Sequence, residues 1–281
     1  MSRRPQRVPR GDTGHRAGRP QATLALRLEA PTHAAAQDDH CVLLYQDEGF
    51  LVEAIGAWAE AGLRAGEGVI LVARATVGDQ VRAWLKGADM DPAAFEVMGR
   101  LRVLDADRTM RLFMVGGKPQ ANLFTNVVAP LVEDAKKASP AGEVRAWGEM
   151  VDLLWKRAQG PAAVALESLW NDLIATHAFR LFCAYQVDAF DALQFPKVRA
   201  IAASHGLVLP AEDEARMATA IDAALAEAYG SEADAVRAFL GPAPRHLPLP
   251  FHRLIALHRL APEFGALVAA RAGQLYRQET A

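Results

Sequence analysis

The chain has no strong excess of charge of either sign, no long apolar run and almost no cysteine. A formal net charge of −2 over 281 residues gives no electrostatic drive toward nucleic acid or an anionic membrane surface. No apolar stretch approaches the ~18 residues needed to span a bilayer. Two cysteines, Cys41 and Cys183, cannot build a disulfide scaffold. Both sit inside apolar runs that read as strands, so they are expected as reduced core thiols of a cytoplasmic protein. The N-terminus carries Arg3, Arg4, Arg7, Arg10, Arg16 and Arg19 with no apolar segment after them, so a secretory signal is not expected there. Residues 1–37 are dominated by Arg, Pro, Gly and Gln without periodicity, and a disordered basic arm is expected there.

Catalytic signatures are missing as well. A nucleotide triphosphatase needs G-x-x-x-x-G-K-[ST] after its first strand. That position reads Tyr45-Gln-Asp-Glu-Gly49, where two acids would repel phosphate. Gly116-Gly-Lys-Pro119 lacks the hydroxyl residue and ends in an imino acid without an amide hydrogen, so it reads as a turn. There is no G-x-S-x-G elbow. His246, His252 and His258 recur with a spacing that does not align on one helix face, and no metal-ligand set is recognised. Asp105 and Glu149 are the nearest approach to a carboxylate pair, with nothing to separate them from ordinary strand-end acids. No cofactor is called for.

About half the residues are hydrophobic (51%), so a sizeable core can form. From His40 onward short apolar runs alternate with amphipathic segments. Cys41–Tyr45, Val69–Ala73, Leu101–Asp105, Val144–Trp147 and Phe179–Tyr185 read as strands, most of them apolar throughout, as in a sheet covered on both faces. Between them lie helical stripes such as Leu51, Ile55, Trp58, Ala59 and Leu63. Thr76 is expected to cap the second helix with Asp79 completing the box, and Pro130 to kink or split a long one. The predicted fold is α/β: a parallel sheet of about five or more strands with helices on both faces. It occupies residues 38–212. Residues 213–281 turn alanine-rich and helical, with Ile221, Leu225 and Ala228 on one face and Ser231 capping the following helix. They read as a helical appendage of three or four helices.

An open parallel sheet binds its ligand at the carboxyl ends of its strands. Those ends supply Tyr45, Asp47, Arg74, Asp105, Asp107, Glu149, Asp152 and Tyr185. Gly148 before Glu149 is expected to allow close backbone approach, and the helix starting near Met150 favours an acid at its amino end. His205 closes a helix, where the dipole favours imidazolium. His40 falls at the amino end of the first strand, away from that pocket.

The run Arg145-Ala-Trp-Gly-Glu-Met-Val-Asp-Leu-Leu-Trp155, with Leu166-Glu-Ser-Leu-Trp-Asn171 and Leu181-Phe-Cys-Ala-Tyr185, resembles the methanogen/methylotroph sensory (MEDS) domain family. His40-Cys-Val-Leu-Leu-Tyr45, Gly62–Glu67 and Ser204–Glu212 are similar to it in the same order. The resemblance implies a RecA-like α/β fold that has lost its phosphate loop. It implies a non-catalytic sensor of small molecules, hydrocarbon derivatives among them, feeding a histidine kinase or a transcriptional regulator. By position in the motifs, Tyr45, Arg145, Glu149, Trp155 and Tyr185 are expected to contact ligand or couple the signal. Asp47, Arg74, Asp105 and His205 complete the expected ligand-binding set. The chain departs from the commoner architecture after Glu212: the remainder is too short for a kinase core and carries no basic helix-turn-helix. The expected function is therefore signal sensing with relay to a partner protein, with no membrane and no nucleic acid involved; a homo-oligomer stays open. Two alternatives stand beside it, a DNA-associated transcriptional regulator using the arginine arm or the tail and a relic nucleotide-binding enzyme or hydrolase.

Overall fold

The computed structural model describes residues 39–278; the N-terminal arm expected over 1–37 lies outside them. Six parallel strands form one sheet: β1 (His40–Tyr45), β2 (Gly68–Ala73), β3 (Leu101–Asp105), β6 (Val144–Gly148), β7 (Arg180–Gln186) and β8 (Leu207–Pro210), in the order β3-β2-β6-β7-β1-β8. The α/β fold with a parallel sheet is as the alternating pattern predicts. Its sixth strand, β8, has four residues and ends in Pro210. Nothing that short and proline-terminated stands out in sequence, yet it pairs with β1 from Cys41↔Leu207 to Leu44↔Pro210. As an edge strand it tolerates the proline. A two-stranded hairpin, β4 (Met114–Val115) and β5 (Lys118–Pro119), turns at Gly116 and Gly117, both with positive φ, so the Gly-Gly-Lys-Pro segment is a turn.

Connection handedness distributes the helices. The chain leaves β1 for β2 and then β3, moving one way across the sheet through α1 (Glu48–Arg64), α2 (Ala75–Gly87) and the short α3 (Pro92–Val97). It then returns the other way through β6, β7 and β8. The returning connections carry α4 (Ala106–Arg111), α5 (Ala121–Ala138), α6 (Met150–Lys156), α7 (Gly160–His177) and α8 (Phe195–Ala203). The two directions place the helices on opposite faces. Leu43, Leu71, Trp147 and Phe182 pack against α1 and α2, while Val42, Val72, Ala146 and Cys183 pack against α5, α7 and α8.

Aspartate caps fix several helix starts. Asp47 accepts from the Phe50 amide at 2.8 Å and caps α1; Asp105 accepts from Arg108 N at 2.6 Å and caps α4. Two expected caps are absent. α2 starts at Ala75 with Arg74 at its cap, so Thr76 lies exposed inside the first turn. The helix after Gly230 starts from Glu232 without a side-chain cap, so Ser231 is not one. Pro130 does not split α5, which runs unbroken. The proline is exposed, and Phe124, Val128, Val132 and Ala135 hold the inner face.

The C-terminal residues form α9 (Glu214–Tyr229), α10 (Ala233–Leu240), α11 (Leu249–Leu260) and α12 (Pro262–Gln278). The inner face of α9 is Met217, Ala220, Ile221, Ala224 and Leu225, while Ala228 is exposed. These helices join the same hydrophobic cluster as α7 and α8. Phe190 stacks near Tyr276 and Phe195 meets His258 edge-on, with centroids 5.4 and 5.5 Å apart. No helix among the described residues is long and apolar enough to cross a membrane.

Candidate functional site

Strands whose following connections run in opposite directions lie side by side at, among other places, β2 beside β6 and β1 beside β7. Such switch points open crevices at the carboxyl edge. At the first, Arg74 meets Glu149: the Glu149 carboxylate accepts from Arg74 N at 2.6 Å and Nε at 2.5 Å, and Arg74 Nη2 also reaches Glu48 at 2.9 Å. Burial alone would lower the Arg74 pKa, but these two carboxylates outweigh it and raise it. Glu149 does stand at the start of α6, yet its side chain caps nothing there; Arg74 is its partner. A Cβ at Gly148 would meet only Trp170, at 3.7 Å, so no close approach requires that glycine. At the second crevice Tyr45 donates to Asp152 at 2.7 Å, the Gln186 amide donates to the same carboxylate at 3.0 Å, and Lys156 Nζ lies 3.0 Å away. Burial, then Asp152, raises the Tyr45 pKa, so the phenol stays a donor. The carboxyl edge thus gathers Tyr45, Arg74 and Glu149, together with Glu48, Asp152 and Lys156, into a network whose charges satisfy one another.

Other expected residues have other roles. Asp47 and Asp105 serve as helix caps. Trp155 packs edge-on against Tyr185 at 5.4 Å. Arg145 is buried on the α1 face toward the amino end of the sheet, where Nε donates to Glu67 at 2.5 Å and Nη1 to the Trp58 carbonyl at 2.7 Å. Its guanidinium lies 5.0 Å from the Trp58 ring. Gly62 makes room for it, since a Cβ there would sit 2.4 Å from Arg145 Nε.

Tyr185 and His205 belong to a different assembly on the opposite face. Tyr185 donates to Glu167 Oε1 at 2.6 Å. Around the same carboxylate stand His40 Nε2 (3.3 Å), His205 Nε2 (3.4 Å) and Cys183 Sγ (3.5 Å), and His40 Nε2 is 3.3 Å from Cys183 Sγ. One ligand atom from each of these four residues lies within 4.8 Å of all the others, and all four residues are buried. His40 Nδ1 lies 2.8 Å from Asn171 Oδ1, whose amide nitrogen in turn donates to Ser204 O at 3.0 Å. His205 Nδ1 lies 2.7 Å from Ile201 O. Burial lowers the His205 pKa against the pull of Glu167. Burial would raise that of Glu167, but His205 and His40 outweigh it and hold the carboxyl below its usual range. The two directions conflict: imidazole charge holds the acid ionised, and burial removes that charge. Burial, then Glu167, pushes the Cys183 thiol well up, and burial raises Cys41 to about 12; both cysteines are free.

Sequence reasoning singled out neither Glu167 nor Asn171. A signal was available: Glu167 sits inside the apolar stripe of Leu166, Trp170, Leu173 and Ile174, one turn before Asn171, opposite a strand bearing Cys183 and Tyr185 on one face. His40 is where the sequence places it, at the start of β1; what the sequence hides is that the α8–β8 turn brings His205 against it, ring centroids 4.1 Å apart.

Sheet, absent phosphate loop and helical extension define a parallel α/β domain with a self-satisfied carboxyl edge and a second polar cluster buried beneath it. Residues 39–205 match the MEDS family, the methanogen/methylotroph DcmR sensory domain, and the chain belongs to that family. Comparison with curated proteins and with solved structures returned no match.

Proposed function

We propose that this chain is a non-catalytic signal-input protein that binds a small molecule and passes the bound state to a partner protein through α9–α12. Membership of a sensory-domain family supports the reading. The observation that carries it is a groove of about 220 Å³ where sensory fold and helical extension meet, lined by Phe195, Pro196 and Arg199 of α8 and by Ile255, His258, Arg259 and Pro262 of α11 and α12. A ligand there touches both parts, which is what a sensor requires: only differential affinity for two packings can shift their balance. An affinity ratio of about 100 supplies roughly 2.7 kcal/mol. The lining combines an apolar floor with two guanidinium groups and an imidazole, which suits a short hydrocarbon body ending in an acid or another acceptor.

The carboxyl edge is tied to the same junction. Gln186 Nε2 donates to the Gln46 carbonyl at 3.0 Å, and Gln46 Nε2 donates to Glu212 Oε1 at 2.7 Å, just before α9. In this reading the edge network is the part whose bonds change when the extension moves.

The test is a thermal-shift panel on the full chain with short carboxylic acids, alcohols, halocarbons and magnesium nucleotides. A member of the first three classes raises Tm in the wild type, and Ile255→Trp, which fills the groove, abolishes that rise. A flat panel, or turnover of ATP, overturns the reading.

A further inference from the structure

We propose that His40, Glu167, Cys183 and His205 form a closed binding site for a divalent transition metal of the zinc class. The geometry carries the first part of the argument. In a tetrahedral zinc site with bonds of roughly 2.0–2.3 Å, neighbouring ligand atoms stand about 3.3–3.8 Å apart. His40 Nε2 stands 3.3 Å from both Glu167 Oε2 and Cys183 Sγ, Cys183 Sγ 3.5 Å from Glu167 Oε2, and His205 Nε2 3.4 Å from Glu167 Oε1, all within that range, and one ligand atom from each residue lies within 4.8 Å of the others.

The second observation is the direction of the lone pairs. Asn171 is oriented by its donation to the Ser204 carbonyl, so its oxygen faces His40 and takes the Nδ1 proton. The Ile201 carbonyl takes the Nδ1 proton of His205. Both rings are thereby fixed as the tautomer with a bare Nε2 turned inward, the arrangement that outer-sphere acceptors impose on metal-bound histidine. His205 Nε2 is fully buried and makes no well-formed hydrogen bond, with Glu167 Oε1 3.4 Å away. Two imidazole lone pairs and a carboxylate converge on a space toward which, among the described residues, the Tyr185 hydroxyl and the Cys183 thiol donate, and Tyr185 already gives its proton to Glu167. Acceptors so crowded and so deeply buried lack a cation.

A divalent ion supplies it. On binding, the Cys183 S–H bond breaks, its proton leaves to solvent, and the sulfur electron pair forms the metal–thiolate bond; no redox change occurs. Thiolate and carboxylate together neutralise the ion. One thiolate, two imidazoles and one carboxylate favour zinc over magnesium or calcium. All four positions come from protein, so the site is structural or sensory rather than catalytic. It would fasten the start of β1, the middle of β7, α7 and the α8–β8 turn to one another. None of this depends on the α8–α11 groove, and a flat small-molecule panel leaves it standing.

The experiment is cobalt(II) titration of the metal-stripped full chain under reducing conditions, with zinc analysis of the same preparation. The expected result is one ion per chain, a thiolate-to-cobalt charge-transfer band, and displacement by zinc. Cys183→Ser loses the charge-transfer band, and His205→Ala weakens cobalt binding at least ~10-fold. If a variant fails to fold, the wild-type titration and the loss of Tm on chelation decide the matter. Absence of stoichiometric binding to folded wild type overturns the proposal and leaves a buried imidazolium–carboxylate cluster in its place. A charge-transfer band unchanged in Cys183→Ser overturns it too, because the ion then sits elsewhere.

Discussion

Glu67 and Glu167 are two buried carboxylates on opposite faces of one sheet, and they are satisfied in different ways. Glu67 faces permanent cations: Arg145 makes a two-pronged contact, at 2.5 and 3.0 Å, and Arg180 adds a third. Guanidinium keeps its charge at any physiological pH and matches carboxylate geometry, so that cluster is complete within the chain. Glu167 faces two imidazoles, a thiol and a phenol, none of which is obliged to be charged. Burial is equally deep, at 4% exposure for Glu67 and 1% for Glu167. The difference is that one acid's counter-charge is encoded in the sequence and the other's depends on a proton or an ion.

The sharpest way to break this contrast is Glu67→Ala. It removes the carboxylate facing the buried Arg145 guanidinium, and a loss of about 3–5 kcal/mol is expected in urea unfolding. A loss below about 1 kcal/mol would mean that Arg145 finds water or another acceptor. Next is Glu167→Gln. Without metal its cost is that of a buried, partly unmatched hydrogen-bond network, about 1–3 kcal/mol. Chelation lowers the Tm of wild type and leaves that of this variant unchanged, whereas chelation has the same effect on Glu67→Ala as on wild type.

A third acid, Glu212, has neither kind of partner. Burial pushes its pKa from 4.5 up to about 7, and Oε2 has no hydrogen-bond partner. The folded state therefore holds its proton more tightly than the unfolded chain. That contribution is complete below pH 4.5 and is lost as pH rises through about 7, by on the order of 2 kcal/mol after allowance for partial exposure. Glu212→Gln should flatten this slope in pH-dependent unfolding; an unchanged slope would assign it to another group. The smallest effect is expected from Asp47→Ala, about 1 kcal/mol through loss of the α1 cap, with ligand and metal responses intact. If the small-molecule response disappears as well, Asp47 does more than cap a helix.

Much of the fold was legible because burial on two faces leaves a plain trace. β2 is an unbroken apolar run, β1 is one after His40, and α1 carries its stripe at helical spacing. β8 was not legible, since its stability comes from one neighbour, β1, rather than from its own four residues. The carboxyl-edge residues Tyr45, Arg74 and Glu149 could be gathered from the rule that parallel strands end at a common edge. Arg145 could not be placed by that rule: it is the second residue of β6, and its side chain turns to the opposite end and to the α1 face. Glu167 was hidden because an acid in an apolar stripe looks like a helix's solvent edge until the facing strand is known.

The amino-acid order by itself determined the alternation of strands and helices, the absence of a phosphate grip and the change of character after Glu212, because each follows from side-chain type and short-range spacing. The tertiary structure decided which polar groups meet. His40, Glu167, Cys183 and His205 are spread over more than half of the described chain, and parallel pairing of β1 with β7 and β8 draws them into contact. Pairing across a crossover depends on global closure of the sheet, and local periodicity carries no record of it.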